Sequence, residues 1–254
     1  MESSQPPGFL PKALFSAAGV GKRFGDNVVL KSAALWVRRN RITALLGRNG
    51  CGKTTLLKCA LGEIPMDHGS VQFLGESYER PRLWRLGGKG LRYIDQEAQL
   101  PLTRDLGSLL RIAAESASTT PSEWIQALRL EPFLGSLVPQ LSRGERKRAA
   151  LAVALTGEPE CLILDEPLES LAPLDQELLA GCLKSLVDRG LGVLLTGHDT
   201  RAVLETATDV TWCVAGTTHD LGSVEEAVGN PQFVREYLGP RYEAPQQPLE
   251  PLEP

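Results

Sequence analysis

The stretch Gly47-Arg48-Asn49-Gly50-Cys51-Gly52-Lys53-Thr54-Thr55 has the spacing G-x-x-x-x-G-K-[ST] of a phosphate-binding loop. Glycines at its bends let the backbone curl until successive N–H groups point at one anion, and a helix starting behind them adds its dipole. Lys53 would neutralise β- and γ-phosphate oxygens, and the Thr54 hydroxyl would hold Mg²⁺. The expected ligand is a nucleoside triphosphate. Cys51 admits two readings. Beside Lys53 at a helix start, its thiol is placed to ionise and to be blocked by alkylation. Alternatively it is a small residue at a variable position of the loop.

Three further apolar runs end in residues suited to the same chemistry. Cys161-Leu162-Ile163-Leu164 delivers Asp165 and Glu166. Asp165 suits a Mg²⁺-bound water, and Glu166 suits a general base acting on the attacking water. An Asp-Glu-Pro sequence also makes an ordinary strand-end turn; beside a phosphate loop the chemical reading prevails. Residues 91–94 end at Asp95-Gln96, where Gln96 could complete the metal's coordination and sense the water. Residues 191–195 lead to His198, which could contact the γ-phosphate and hold Glu166 and the water in line. Ligands of open α/β sheets bind beyond the carboxyl ends of parallel strands, so one sheet edge would gather all four endings.

Within Leu141-Ser142-Arg143-Gly144-Glu145, Ser142 and Glu145 have the spacing of a capping box, a sufficient structural explanation. A helix start rich in free N–H groups is also an anion site. The chain already has a loop for its own phosphates, so a second such start suggests a γ-phosphate presented by another subunit. Phe24, just before a turn at residues 25–27, could stack on a nucleobase or pack in the core.

The elements that must position these residues follow from periodicity. Residues 13–20 and 28–37 alternate as antiparallel strands, 42–46 form a buried strand, 53–61 a helix and 71–74 a strand. Residues 78–90, with Arg80, Arg82, Arg85 and Lys89 around Trp84, read as a solvated basic loop rather than a nucleic-acid patch. Residues 100–138 are helical in pattern, with breaks at 119–122 and 131–132, and together with a helix over 142–155 they make a small helical lobe. Strands at 161–164, 191–195 and 210–215 then alternate with helices at 174–189 and 200–207, the rhythm of a covered parallel sheet. A helical pattern over 224–237 is interrupted at 229–231. The Pro-rich ends, 1–12 and 240–254, read as disordered.

A chain of 254 residues, 42% hydrophobic and 23% charged, suits one large globular domain. Its net charge of −4 gives no reason to expect nucleic-acid binding. The 5 cysteines form no C-x-x-C pair and suit a reduced, cytoplasmic chain. No apolar run approaches the roughly 20 residues that span a bilayer, so any membrane contact would come through a partner.

In order and spacing, these motifs resemble those of the ATP-binding cassette (ABC) ATPases over about residues 13–239. Residues 47–55 look like their Walker A motif, Gln96 their Q-loop and residues 141–145 their LSGGQ signature. Residues 161–166 look like Walker B, His198 the switch histidine and Phe24 the adenine-stacking aromatic. The resemblance implies an α/β fold of the P-loop NTPase, ABC type: a parallel-sheet core, an antiparallel β subdomain and a small helical subdomain at about residues 100–155. It implies ATP and Mg²⁺ as cofactors, with Lys53, Thr54, Gln96 and Asp165 around phosphate and metal. Glu166, His198 and Gln96 would be catalytic. It also implies a head-to-tail homodimer or heterodimer with two ATP sandwiched, in which Ser142, Gly144 and Glu145 serve the partner's nucleotide. A transmembrane permease subunit would be driven through the Q-loop and helical lobe, which places the chain peripherally on the cytoplasmic membrane face. Residues 145 and 230–239 look most like the lipopolysaccharide-export and branched-chain amino-acid groups. A soluble ABC-type switch acting on a protein or nucleic-acid complex is the alternative.

Three positions depart from the family pattern. Arg143 replaces a Gly of the signature, Ala172 replaces the Asp of the D-loop, and Val153 replaces an arginine common after the signature. The D-loop helps couple the two sites, so slow ATP hydrolysis is expected.

Overall fold

The four apolar runs that end in polar residues are adjacent strands of one sheet. The computed structural model describes residues 13–117 and 119–239, so the expectations for 1–12 and 240–254 lie outside the described residues. The chain begins with β1 (Phe15–Phe24) and β2 (Asn27–Val37), then β3 (Arg41–Leu46), the phosphate loop and α1 (Lys53–Leu61). β4 (His68–Phe73) and β5 (Glu76–Tyr78) follow, then α2 (Leu83–Gly87), β6 (Leu91–Ile94), α3 (Leu106–Ala117), α4 (Ser122–Ala127) and α5 (Arg143–Thr156). The last third runs β7 (Cys161–Leu164), α6 (Pro173–Asp188), β8 (Gly192–Thr196), α7 (Thr200–Thr206), β9 (Asp209–Val214) and β10 (Thr217–Ser223). It closes with α8 (Val224–Gly229) and α9 (Pro231–Phe233), which continues into a π turn at Val234–Leu238.

The strands make two sheets, β10-β9-β3-β8-β7-β6 and β2-β1-β4-β5. In the first, β9, β3, β8, β7 and β6 run parallel and β10 returns antiparallel at one edge. The second is antiparallel throughout. Side chains alternate across each central strand and fill two cores. Leu162 and Leu164 of β7 and Val193 and Leu195 of β8 pack toward α5 and α6. Cys161, Ile163 and Leu194 face the opposite core, which holds α1 and the antiparallel sheet. The two sheets join where Gly216 O accepts from Lys31 N (2.9 Å) and Thr218 Oγ1 accepts from Ala34 N (2.7 Å).

Arg148 of α5 ties the helical lobe to the core. Its Nη1 donates to Leu128 O (2.7 Å) and Arg129 O (3.1 Å), its guanidinium lies 5.8 Å from the Phe133 ring centroid, and its Nε lies 3.3 Å from Asp175 Oδ1 of α6. At the other end, Trp212 of β9 meets Phe233 edge-on at 5.6 Å and Phe233 stacks on Tyr237 at 5.3 Å. This column sets the final turn against the phosphate loop, where Arg48 Nη2 donates to Glu236 O (2.7 Å).

Three local readings change. β1 reaches Phe24 rather than residue 20, because register shifts after Ala17 interrupt its alternation. Residues 78–90 are not one loop but hold the end of β5 and α2, where Trp84 is 72% exposed with Arg85 over its ring. β10 was invisible to patterning because a half-exposed edge strand, Thr-Thr-His-Asp-Leu-Gly-Ser, has no apolar stripe.

Candidate functional site

The phosphate loop is shaped by close approach as much as by glycine's freedom. A Cβ on Gly47 would fall 2.3 Å from Cys213 O and 2.7 Å from Cys51 Sγ, and Gly52, at φ 113°, would bring one to 2.8 Å from Leu30 Cδ2. Lys53 is buried, its Nζ donating across the loop to Gly47 O (2.6 Å) and Arg48 O (3.3 Å). α1 begins with no side-chain cap and no acidic residue in its first turn. Apart from the Lys53 N–H, which the Cys51 thiol accepts, its first N–H groups have no side-chain cap and are left for an external anion, and the residues present fit a polyphosphate. Thr54 is exposed in that turn and Thr55 is half-buried. Asn49, Gly50, Cys51 and Cys213 line a hollow of about 420 Å³ beside the loop.

The Cys51 thiol is brought down to about 6, first by its hydrogen bond with the Cys213 thiol and, against burial, by the charge of Lys53. Lys53 is thus the lesser cause. The Cys213 thiol is pushed up by the same contact and by burial, and it donates to Cys51 O at 3.4 Å.

At the neighbouring strand ends, Asp165 is buried and its Oδ1 accepts from Thr196 Oγ1 of β8 at 2.6 Å. The Tyr93 phenol lies beside it, and burial followed by the Asp165 charge keeps that phenol protonated. Among the described residues no three His, Cys, Asp or Glu side chains form a metal cage. A single buried carboxylate suits Mg²⁺, which keeps waters and takes phosphate oxygens as ligands.

Glu166 adopts φ 51°, in the left-handed region that non-glycine residues avoid. Two contacts hold that backbone: Glu166 N donates to Thr196 Oγ1 (2.9 Å), and Glu166 O accepts from Lys147 Nζ (2.6 Å). The carboxylate is thereby turned toward Gln96, whose Nε2 donates to Oε2 at 2.7 Å. His198 Nδ1 stands 3.7 Å from Oε1, beyond hydrogen-bond reach. The other ring nitrogen, Nε2, lies 2.9 Å from Glu169 Oε2. Lys147 is itself buried, and burial followed by the Arg143 charge lowers its pKa to about 8.

One sheet edge therefore collects the phosphate loop, Gln96, Asp165, Glu166 and His198. Ser142, Gly144 and Glu145 form a separate group. Ser142 N donates to Glu145 Oε2 (2.7 Å) and Glu145 N to Ser142 Oγ (3.3 Å), the capping box read from their spacing. A Cβ on Gly144 would meet Asp175 Oδ2 at 2.7 Å. Phe24 ends β1 in the other sheet and is 48% exposed, which removes the core-packing reading, with Lys22 Nζ 5.3 Å from its ring centroid. Patterning missed Tyr93, Lys147, Glu169 and Thr196. Thr196 had a signal, a hydroxyl closing an apolar run; the other three acquire meaning only from neighbours far along the chain.

A phosphate loop ahead of an uncapped helix, with a buried Asp and a positioned Glu at the end of β7, a parallel strand of the same sheet, defines a P-loop ATPase with a mixed α/β core. Solved ATP-binding cassettes share that fold. One in its ADP conformation superposes with a TM-score of 0.77 at 20% identity, over 90% of this chain and 100% of its own. An ATP-binding subunit of another ABC transporter gives 0.75 at 23%, over 87% and 94%. The family model described as ABC transporter matches residues 30–169. The zinc import ATP-binding protein ZnuC of Pseudomonas putida is 34% identical over 225 residues, 87% of this chain and 82% of that protein. The lipopolysaccharide export system ATP-binding protein LptB of Haemophilus influenzae is 29% identical over 238 residues, 91% and 99% respectively. The chain belongs to the ABC transporter family. It is an ATP-binding subunit that, with Mg²⁺, hydrolyses ATP to power transport.

Proposed function

We propose that hydrolysis is carried out at the edge shared by β3, β6, β7 and β8, within a cassette spanning residues 13–239 whose helical lobe covers about 100–155. The observation that carries this reading is Glu166, held in a left-handed backbone with its carboxylate on Gln96 at 2.7 Å beside the phosphate loop. Lys53 and the free N–H groups of α1 bind the β- and γ-phosphates, with Gly47, Asn49, Gly50, Cys51, Gly52 and Thr55 shaping the loop. Thr54, Asp165 and Gln96 would hold Mg²⁺, which would supply charge neutralisation at the phosphate oxygens. Glu166 takes the proton of the attacking water; Gln96 keeps that carboxylate in place, and His198 stands beside it, toward the water and the γ-phosphate. Phe24, exposed at the rim, stacks on the base.

A second copy or a related cassette completes the site: the start of α5, with Ser142, Gly144 and Glu145, faces the partner's γ-phosphate. Arg143 there lies 3.8 Å from Glu97, the residue after Gln96, with both side chains largely exposed. Its charge is thus directed at the Q-loop.

Coupling to a membrane-embedded partner has a physical route. A groove of about 620 Å³ runs beside β6, walled by Tyr93, Asp95, Leu100, Ala113, Ala150 and Val153. A helix from the partner seated there presses on residues 95–100, and hence moves Gln96 relative to Glu166. No described helix is long and apolar enough to cross a membrane. The chain would therefore sit at the inner membrane face through that partner.

The test is affinity capture of Glu166→Gln with ATP from detergent-solubilised cells. A multi-span membrane protein in stoichiometric yield is expected. Recovery of soluble or nucleic-acid-bound material alone would replace the permease partner with the soluble-switch reading.

A further inference from the structure

Glu169 lies four residues beyond Asp165, in the turn after β7, and it is buried. A buried carboxylate needs partners, and all of its side-chain hydrogen bonds go to the segment that carries His198. Oε1 accepts from the backbone N–H of His198 (3.1 Å) and of Asp199 (2.9 Å). Oε2 lies 2.9 Å from His198 Nε2. Its backbone carbonyl accepts from Lys147 Nζ (3.0 Å), which also binds Glu166 O (2.6 Å). One ammonium thus fixes the turn that carries both carboxylates, Glu166 on one side of the imidazole and Glu169 on the other.

We propose that Glu169 is a positioning residue that sets the rotamer and tautomer of His198. The inference rests on the role assigned above to His198 and adds the residue that prepares it. A carboxylate only accepts, so the contact at 2.9 Å places the ring proton on Nε2. Nδ1 is then the lone-pair nitrogen, and it faces Glu166 Oε1 across 3.7 Å. Two acceptors at that separation form no bond with each other. The Glu166 carboxylate therefore stays unencumbered by the histidine while the ring is held beside it. Glu169 leaves the attacking water to Glu166 and acts through the ring it orients.

Glu169→Gln separates orientation from packing. The amide is the same size, and its oxygen can keep both backbone N–H bonds. Its NH₂ then faces Nε2, which must become the acceptor, so the ring proton moves to Nδ1 and points at Glu166. The chain has only 3 histidines. Long-range ¹H–¹⁵N NMR of uniformly labelled full-length protein, assigned by loss of one ring system in His198→Asn, reads the tautomer directly. We expect Nε2–H in the native chain and Nδ1–H in Glu169→Gln. Steady-state hydrolysis should show kcat lower by about ten- to a hundredfold, with KM for ATP within about threefold.

If Glu169→Gln retains the Nε2–H tautomer, or if kcat falls with the tautomer unchanged, the proposal fails and Glu169 is only a brace of the turn. Native kcat in Glu169→Gln despite a switched tautomer also overturns it. His198→Ala reports separately on the role beneath the inference: unchanged kcat there removes the function of the histidine, while the NMR result still decides whether Glu169 orients the ring.

Discussion

Lys147 carries its charge where water is scarce, and pH should expose the consequence. Its folded pKa of about 8 lies below the ordinary 10.5, chiefly through burial. Between those values the unfolded chain binds more protons than the folded one, so folding stability rises with pH across that window. The contribution is complete above the ordinary value and is lost as pH falls through about 8. Urea denaturation at several pH values in this range should show the rise in the native chain and its absence in Lys147→Met. The variant should also be less stable throughout, by about 1–3 kcal/mol, because Glu166 O and Glu169 O lose a donor. Cys51 is the complementary case, with a thiol at about 6. Iodoacetamide should label it first at neutral pH, with a rate midpoint near that value, while buried Cys59, Cys161 and Cys182 stay silent. Protection by ATP, read by peptide mass spectrometry, is expected. Gln96, Asp165, Glu166 and His198 were legible because each ends an apolar run. Lys147 was not, because its partners are carbonyl oxygens of a turn about twenty residues away, and no residue type marks those.

At the scale of the element, helix starts divide into two kinds. α5 and α8 are closed by a Ser and a Glu three residues on, whereas α6 begins at Ala172 with no side chain to cap it. The Asp that the family usually has at that position is also a good N-cap. Ala172→Asp should therefore raise stability by about 1 kcal/mol, seen as a higher urea midpoint at unchanged m-value. If Ala172 also slows coupling between paired sites, hydrolysis by the variant should be faster; a stability gain with no rate gain would confine the residue to capping. Gly144→Ala at the start of α5 meets Asp175 Oδ2 at 2.7 Å and should disturb the Asp175–Arg148 ion pair that links α5 to α6. A lower melting temperature is expected, by a few degrees. Elements with strict alternation or a capping box were readable from sequence. β10 and α2 were not, since each buries too little apolar surface to leave a stripe.

For the molecule as a whole, the groove beside β6 lies on the same strand end that positions Gln96. Filling it should separate partner binding from nucleotide binding. Ala113→Trp places an indole into a wall of the groove, and capture of the membrane partner should fall by about tenfold or more, equivalent to 1.4 kcal/mol or more. ATP affinity of the same variant, measured by fluorescent-analogue titration, checks that the phosphate loop is intact. The parallel core followed from the alternation of strands and helices, and the separate antiparallel sheet from the resemblance to the family. The groove did not, because it is bounded by segments that adjoin only after β6 has paired with β7 and α3 has settled on α5.

The bond from Arg48 to Glu236 joins residues 188 positions apart, and β3 lies between β8 and β9, both made late in the chain. Read along the time axis of synthesis, the phosphate loop leaves the ribosome early and acquires its flanking strands last. A half-made chain therefore presents β3 with neither lateral neighbour. Hydrolysis has to wait for β8 and β9, since only they pair the strand that carries the phosphate loop on both sides.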